Sequence, residues 1–152
     1  MKRFLYLICI MIAVSACKEV FEAPPQSFLK VSFLNSSTKA TISPKVSVLG
    51  VGLENMWVKD SVLKEILLPL SVNDATSYLI SLDAKNDTIT FIHETIQKYA
   101  SMESGFYFEY KLQSIDFTNN RIDSILITDS LVTKKWNENI KLYVHPLPSG
   151  NN

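Results

Sequence analysis

Apolar and polar residues alternate with a period of two along most of the chain after residue 28. This alternation turns every second side chain to the same face, which is typical of half-buried β-strands. The pattern is clearest over 29–33, 78–82, 106–112 and 140–144. Further strands are predicted over 46–51, 63–70, 88–94 and 122–128. The chain is therefore expected to contain seven or eight short strands.

Polar residues separate the predicted strands, since the chain has only four glycines. Asn119-Asn120 is predicted to form a two-residue hairpin turn, because asparagine tolerates left-handed backbone conformations; Asn73-Asp74 and Lys85-Asn86 are similar. The segment 94–100 fits either one helical turn or a continued strand. Short strands joined in this way must stack two sheets or close a barrel. We predict an all-β, antiparallel β-sandwich of immunoglobulin-like character, with a small β-barrel as the alternative.

The first seventeen residues depart from this alternation. Lys2 and Arg3 precede an unbroken apolar run over 4–14, and the sequence Val14-Ser15-Ala16-Cys17 follows. A transmembrane helix needs about 20 apolar residues, so this run is too short to span a membrane and instead predicts a signal peptide. The four-residue motif resembles a bacterial lipobox, which implies that Cys17 is lipidated and that the peptidase removes residues 1–16.

These features predict the domain organisation. Residues 17–27, which include Pro24-Pro25, are predicted to form a flexible tether after the lipidated cysteine. Residues 28–145 form the β-sandwich, and 146–152 form a C-terminal tail. The protein is thus expected in the cell envelope, anchored by lipid outside the cytoplasm, with the outer membrane as the expected location.

The positions of the two cysteines and the net charge of the mature chain limit the classes of partner that the protein can bind. Cys9 lies in the signal peptide and Cys17 carries lipid, so the mature chain has no thiol for a disulfide. Without Lys2 and Arg3 the mature chain has 13 basic against 15 acidic residues, which argues against nucleic-acid binding. The expected partners are the membrane, through the lipid anchor, and an envelope protein or glycan.

Several short segments carry a family resemblance. They are Asp60-Ser61, Leu68-Pro69-Leu70, Asp87-Thr88, Glu103-Ser104-Gly105-Phe106, Ile125-Leu126-Ile127 and Glu138-Asn139-Ile140-Lys141-Leu142-Tyr143. Together they resemble a set of short Bacteroidota lipoproteins known only as a domain of unknown function. The resemblance implies a cell-envelope lipoprotein and supplies no substrate or catalytic residues. It also implies a cysteine at position 104, where this chain has serine.

Four of the seven aspartates are followed by serine or threonine and then an aliphatic residue. The hydroxyl residues are Ser61, Thr88, Ser124 and Ser130. The motif resembles the acceptor for O-glycosylation of exported Bacteroidota proteins. The alternative is that Asp and Ser/Thr mark a turn before an aliphatic residue opens the next strand.

The sequence predicts no catalytic residue, metal site or cofactor. His93 and His145 lack the close spacing of metal ligands, and the chain has neither a nucleophile elbow nor a glycine-rich phosphate loop. A hydrolytic site would require one of these histidines beside both a carboxylate and a nucleophile.

Trp57 and Trp136 stand among polar residues and are therefore candidates for a surface binding site, with core packing as the competing explanation. The predicted function is a non-enzymatic binding or assembly module. The alternative is a receptor-like lipoprotein that binds glycan or a small ligand through exposed aromatic residues. An aromatic patch in a concavity would favour the receptor, and an unprotected edge strand would favour assembly.

Overall fold

A computed structural model describes residues 23–147 of the chain. The predicted signal peptide, Cys17, most of the tether and the last five residues lie outside this range. Within it there are ten β-strands and no helix, so none that could span a membrane. The strands are β1 (Phe28–Asn35), β2 (Lys45–Gly50), β3 (Met56–Val62), β4 (Glu65–Pro69), β5 (Ala75–Leu82), β6 (Lys85–Ser101), β7 (Gly105–Phe117), β8 (Ile122–Ile127), β9 (Leu131–Val132) and β10 (Glu138–Val144).

The strands form two packed sheets, which confirms the predicted all-β sandwich. The small sheet has the order β4-β1-β10-β8. The large sheet has the order β3-β2-β5-β6-β7-β9 and curls into a half-barrel. One pair among the described strands departs from antiparallel geometry, because β1 and β10 lie parallel.

The core lies between the sheets and follows the alternation seen in the sequence. In β1 the side chains of Leu29, Val31 and Phe33 are buried and their neighbours are only partly buried. Buried apolar residues on β2, β5, β6 and β7 meet them from the large sheet. Each fully buried side chain of this size stabilises the fold by about 1.5–3 kcal/mol, so the alternating faces supply the main driving force.

Two of the ten strands were not expected from the sequence. β9 is only two residues long. β3 lies at an edge of the large sheet, and none of its side chains is fully buried. An edge strand with no buried face needs no apolar alternation, so its sequence carries no period-two pattern.

The predicted turns are partly wrong. Asn119-Asn120 does not close a hairpin, because β7 and β8 belong to different sheets and these residues cross between them; Asn73-Asp74 likewise lies between β4 and β5, which belong to different sheets. The β5–β6 hairpin turns at Asp83-Ala84, two residues before Lys85-Asn86, with φ of 50° and 67°. Positive φ at both central residues is the geometry of a type I′ turn.

A buried carboxylate fixes the crossing between the sheets. Asp87 on β6 accepts hydrogen bonds from the Thr118 hydroxyl and from the backbone N–H groups of Asn120, Arg121 and Ile122, at 2.7–3.1 Å. The four donors lie on the β7–β8 crossover and at the start of β8, so one side chain of the large sheet positions the entry to the small sheet.

Segment 94–100 is a strand, not a helical turn. β6 pairs with β5 as far as residue 92, and β9 pairs with β7 only at residues 110 and 111. Residues 94–109 therefore form a two-stranded hairpin that extends beyond the neighbouring strands, and we call it the ribbon. Gly105 has φ of 71° beside the three-residue loop, a left-handed conformation that glycine adopts without steric cost.

Candidate functional site: an aromatic groove

A groove of about 440 Å³ opens at the end of the sandwich that contains the start of β1. Its walls come from the segment before β1, the ends of β3 and β4, and the ribbon. The described lining residues are Pro24, Pro25, Gln26, Ser27, Phe28, Trp57, Pro69, Leu70, Phe106, Tyr107, Phe108 and Tyr110. None of them carries a charged side chain. We call this feature the aromatic groove.

The two tryptophans selected from the sequence are brought together by Phe28. Its ring centroid lies 6.1 Å from that of Trp57 and 5.6 Å from that of Trp136. The residues lie on or beside opposite edges of the large sheet, and the curl of that sheet brings both edges to the start of β1. Trp57 lines the groove. Trp136 contacts Phe28 but is not among the described lining residues.

Both indoles also have structural roles. The Trp57 Nε1–H donates to the carbonyl of Leu67 on β4 at 2.7 Å, and the Trp136 Nε1–H donates to the carbonyl of Gln26 at 2.9 Å. Trp57 nevertheless remains 50% exposed, and Trp136 remains 45% exposed. The ring faces are therefore available for contact with a ligand, while the N–H groups are already used by the fold.

The ribbon supplies a column of aromatic side chains along one face. Tyr110 is buried at its base, Phe108 is half-buried, and Phe106 is exposed. Alternate residues of a strand point to the same face, so the column runs continuously from the core toward the end of the ribbon.

Two tyrosine hydroxyls hold the end of β4 in place beneath the groove. The Tyr78 hydroxyl donates to the carbonyl of Pro69, and the Tyr110 hydroxyl donates to the carbonyl of Leu70 at 2.9 Å. Burial, with a smaller contribution from the neighbouring Tyr110, raises the pKa of Tyr78 to about 12. Burial also raises the pKa of Tyr110. Both phenols therefore stay protonated as donors at neutral pH.

The groove wall contains one buried polar group without a described partner. Ser27 is buried, and its hydroxyl makes no hydrogen bond within the described structure. An unsatisfied buried hydroxyl costs about 1–3 kcal/mol, and such groups in native proteins require an explanation.

The predicted O-glycosylation residues do not converge on the groove. Ser61, Thr88 and Ser124 lie within strands, and Ser130 lies between β8 and β9; all four are partly buried. The turn-to-strand explanation applies only to the last, where β9 begins at the next residue. Glycosylation at these sites stays a prediction.

The two histidines occupy separate places. His93 is buried and shares a 2.9 Å hydrogen bond between its Nε2 and the Thr76 hydroxyl. Its pKa is lowered mainly by burial, which the Asp74 charge opposes. No group of three or more His, Cys, Asp or Glu side chains within residues 23–147 is placed to hold a metal ion.

His145 lies near a carboxylate and a hydroxyl, but not in a catalytic order. Its Nδ1 is 3.6 Å from Asp123, and the Ser124 hydroxyl donates to that same carboxylate at 2.9 Å. The His145 Nε2 is 2.8 Å from the Asn119 side-chain oxygen. Nucleophilic catalysis requires the imidazole between hydroxyl and carboxylate, whereas here the carboxylate stands in the middle.

Sequence reasoning found Trp57 and Trp136 but not the residues that join them. Phe28 is the first residue of β1 and follows the ordinary strand pattern, and Ser27 belongs to no recognisable motif. The alternation over 106–112 did mark the aromatic column, but it could not show that the column continues past the sheet into a groove.

Comparison with known proteins supplies a family but no function. No curated protein and no solved structure matches the chain. A family model described as a family of unknown function, DUF6452, matches residues 45–144, from the start of β2 to the end of β10. Since this match covers most of the chain, the protein belongs to the DUF6452 family.

Proposed function

We propose that this protein is a lipid-anchored, non-enzymatic binding module of the cell envelope whose ligand occupies the aromatic groove. The location rests on the lipobox-like Val14-Ser15-Ala16-Cys17 motif and its apolar leader. The binding role rests on one structural observation: half-exposed aromatic rings line a concave site at the end where the chain leads toward Cys17.

The size and composition of the groove support binding. Its volume of about 440 Å³ falls within the range of roughly 300–1,000 Å³ for small-molecule sites, which are mostly apolar with a few polar groups. Gln26 and Tyr107 supply those polar groups here. Strand ends form most of the groove, and the irregular segment before β1 that completes it is held by the Trp136 Nε1–H, which donates to the carbonyl of Gln26 at 2.9 Å.

The chemistry of the lining favours an uncharged ligand with an apolar face. Desolvating a charge without a charged partner is costly, and the described lining offers none. A pyranose ring of a neutral glycan meets this requirement, since its apolar face can stack on Trp57. We therefore take neutral envelope glycan as the first ligand class to test.

The test uses the mature lipidated protein in detergent, titrated with neutral oligosaccharides released from the envelope of its own host. Binding is measured by calorimetry. Trp57→Ala should weaken binding about tenfold, which corresponds to about 1.4 kcal/mol. Phe117→Ala is the matched control, because Phe117 is a partly exposed aromatic residue at the other end of β7. Equal affinity for both variants, or no binding to the parent, would contradict the proposal.

A second candidate function is assembly through the open edge of the small sheet. β8 pairs with β10 on one side and ends the sheet on the other. It contains the run Ile125-Leu126-Ile127, without the lysine or proline that commonly protects an edge. Such an edge can accept a strand from another envelope protein.

Crosslinking in the native envelope tests this second candidate. Leu126 is exposed, so Leu126→Lys should leave the core intact while adding a charge to the edge. Loss of a reproducible crosslinked partner in this variant, with the partner retained in Trp57→Ala, would assign assembly to β8. A partner retained in Leu126→Lys would argue against it.

A further inference from the structure

The end of the ribbon presents an apolar surface outside the core, and one of its side chains, Phe106, also lines the groove. Tyr99 and Phe106 are each 58% exposed, and Met102 at the loop is 90% exposed. We call these three side chains the ribbon tip. Exposed apolar clusters of this kind mark interaction sites more often than isolated apolar residues do.

The ribbon tip is a structured feature. Tyr99 pairs directly with Phe106 across the two strands, and their rings contact edge to face with centroids 5.4 Å apart. The backbone pairing continues to Ser101 and Gly105 at the loop. The register shifts between Tyr99 and Ser101, next to the loop, and the two paired rings lie on one face of the hairpin.

The position of the tip relative to the chain's N-terminal segment indicates its partner. Phe106 and the Pro24-Pro25 segment line the same groove, so the described chain begins beside the ribbon. Five residues lie between Cys17 and Ala23, and the six Cα-to-Cα steps from one to the other span at most about 20 Å when fully extended. A lipid on Cys17 would keep this end of the domain close to the membrane surface.

We propose that the ribbon tip inserts into the interface of the membrane that holds the lipid anchor, giving the domain a second point of attachment. This inference rests on the lipid anchor of the proposed function. Tyrosine and other aromatic side chains favour the headgroup region, where an apolar ring and a polar group are both accommodated. Lys98 and Glu103, which flank the tip, are exposed.

Two attachment points would fix the orientation of the domain. An acylated cysteine followed by an extended segment allows free rotation, whereas a second contact removes that freedom. The aromatic groove, which shares Phe106 with the ribbon tip, would then open toward the membrane surface.

A spin label tests this contact directly. The mature lipidated chain has no free thiol, so Met102→Cys provides a single nitroxide site in an exposed loop that the core does not need. Lys85→Cys is the control, because Lys85 lies at the opposite end of β6, sixteen residues and at most about 50 Å from Ser101. Both are reconstituted in vesicles of phosphatidylethanolamine and phosphatidylglycerol at about 3:1.

The experiment distinguishes failure of the lipid anchor from failure of the membrane contact at the ribbon tip. Vesicle flotation reports the anchor alone, and its failure would overturn the proposed lipid attachment. If the chain floats, the label at 102 should be several-fold less accessible to an aqueous nickel chelate than the label at 85. Equal accessibility would overturn membrane insertion of the tip. Protection at 102 that appears without vesicles and rises with protein concentration would instead assign the tip to a second copy of the chain, which also overturns the proposal.

Discussion

Replacing Asp87 by asparagine should destabilise the fold more than any surface charge substitution. The Oδ1 atom accepts from the Thr118 hydroxyl and the Asn120 N–H at 2.8 Å each, and Oδ2 accepts from the N–H groups of Arg121 and Ile122 at 2.7 and 3.1 Å. Asparagine keeps one oxygen and places an NH₂ group against two donors. Those donors lose their acceptor inside the protein.

The size of the effect follows from those contacts. A buried donor left unsatisfied costs about 1–3 kcal/mol, so two of them should lower the free energy of unfolding by about 3 kcal/mol. The matched control is Asp60→Asn. Asp60 is exposed and makes a surface ion pair with Lys45 at 3.2 Å, which contributes about 0.5 kcal/mol. Its φ of 46° is one that asparagine tolerates.

Urea unfolding followed by tryptophan fluorescence measures the difference. With a slope of about 2 kcal/mol per molar urea, Asp87→Asn should lower the midpoint by about 1.5 M, and Asp60→Asn should leave it nearly unchanged. A midpoint for Asp87→Asn within about 0.3 M of the parent would show that the carboxylate does not hold the crossover.

Three further predictions concern pH and modification. The pKa of Tyr78 is raised to about 12, against 10 in the unfolded chain. This difference contributes about 2–3 kcal/mol of stability that is complete below pH 10 and is lost as pH rises toward 12. The urea midpoints at pH 9 and 11.5 should therefore differ less in Tyr78→Phe than in the parent protein. The lowered pKa of His93 contributes stability that is present above pH 6.5 and is lost as pH falls below it. The urea midpoints at pH 7.5 and pH 5 should therefore differ less in His93→Gln than in the parent protein. An equal difference in the two proteins would refute this role. Intact-mass measurement of the native protein should show added sugar at the Asp-Ser/Thr motifs, and a mass of polypeptide plus lipid alone would contradict O-glycosylation.

The sandwich was predictable because burial of one strand face leaves a period of two in the sequence. β1 alternates over its buried residues and β10 alternates from Ile140 to Val144, and both were identified. β3 was missed because it buries no face, and the turn at Asp83-Ala84 was misplaced because alanine is an unusual residue at positive φ. The alternation of residues within a strand predicts which side chains are buried, but it does not predict which distant strands pair with each other.

The candidate site was predictable only in part for the same reason. Polar neighbours marked Trp57 and Trp136 as unusual, but their contact through Phe28 depends on the curl of the large sheet. The ribbon depends on where β5 and β9 end, which no residue of β6 or β7 encodes by itself. Both features arise from the arrangement of strands rather than from a motif.

The parallel pairing of β1 with β10 sets the order in which this protein can fold. A hydrogen bond from the Lys30 N–H to the Asn139 side chain joins residues 109 positions apart, so β1 leaves the ribosome long before its partner exists. The large sheet contains local hairpins that can form early, but the centre of the small sheet must wait for the last strand. A polypeptide interrupted before β10 therefore leaves one backbone edge of β1 unpaired, and proteases and chaperones can distinguish it from the finished protein.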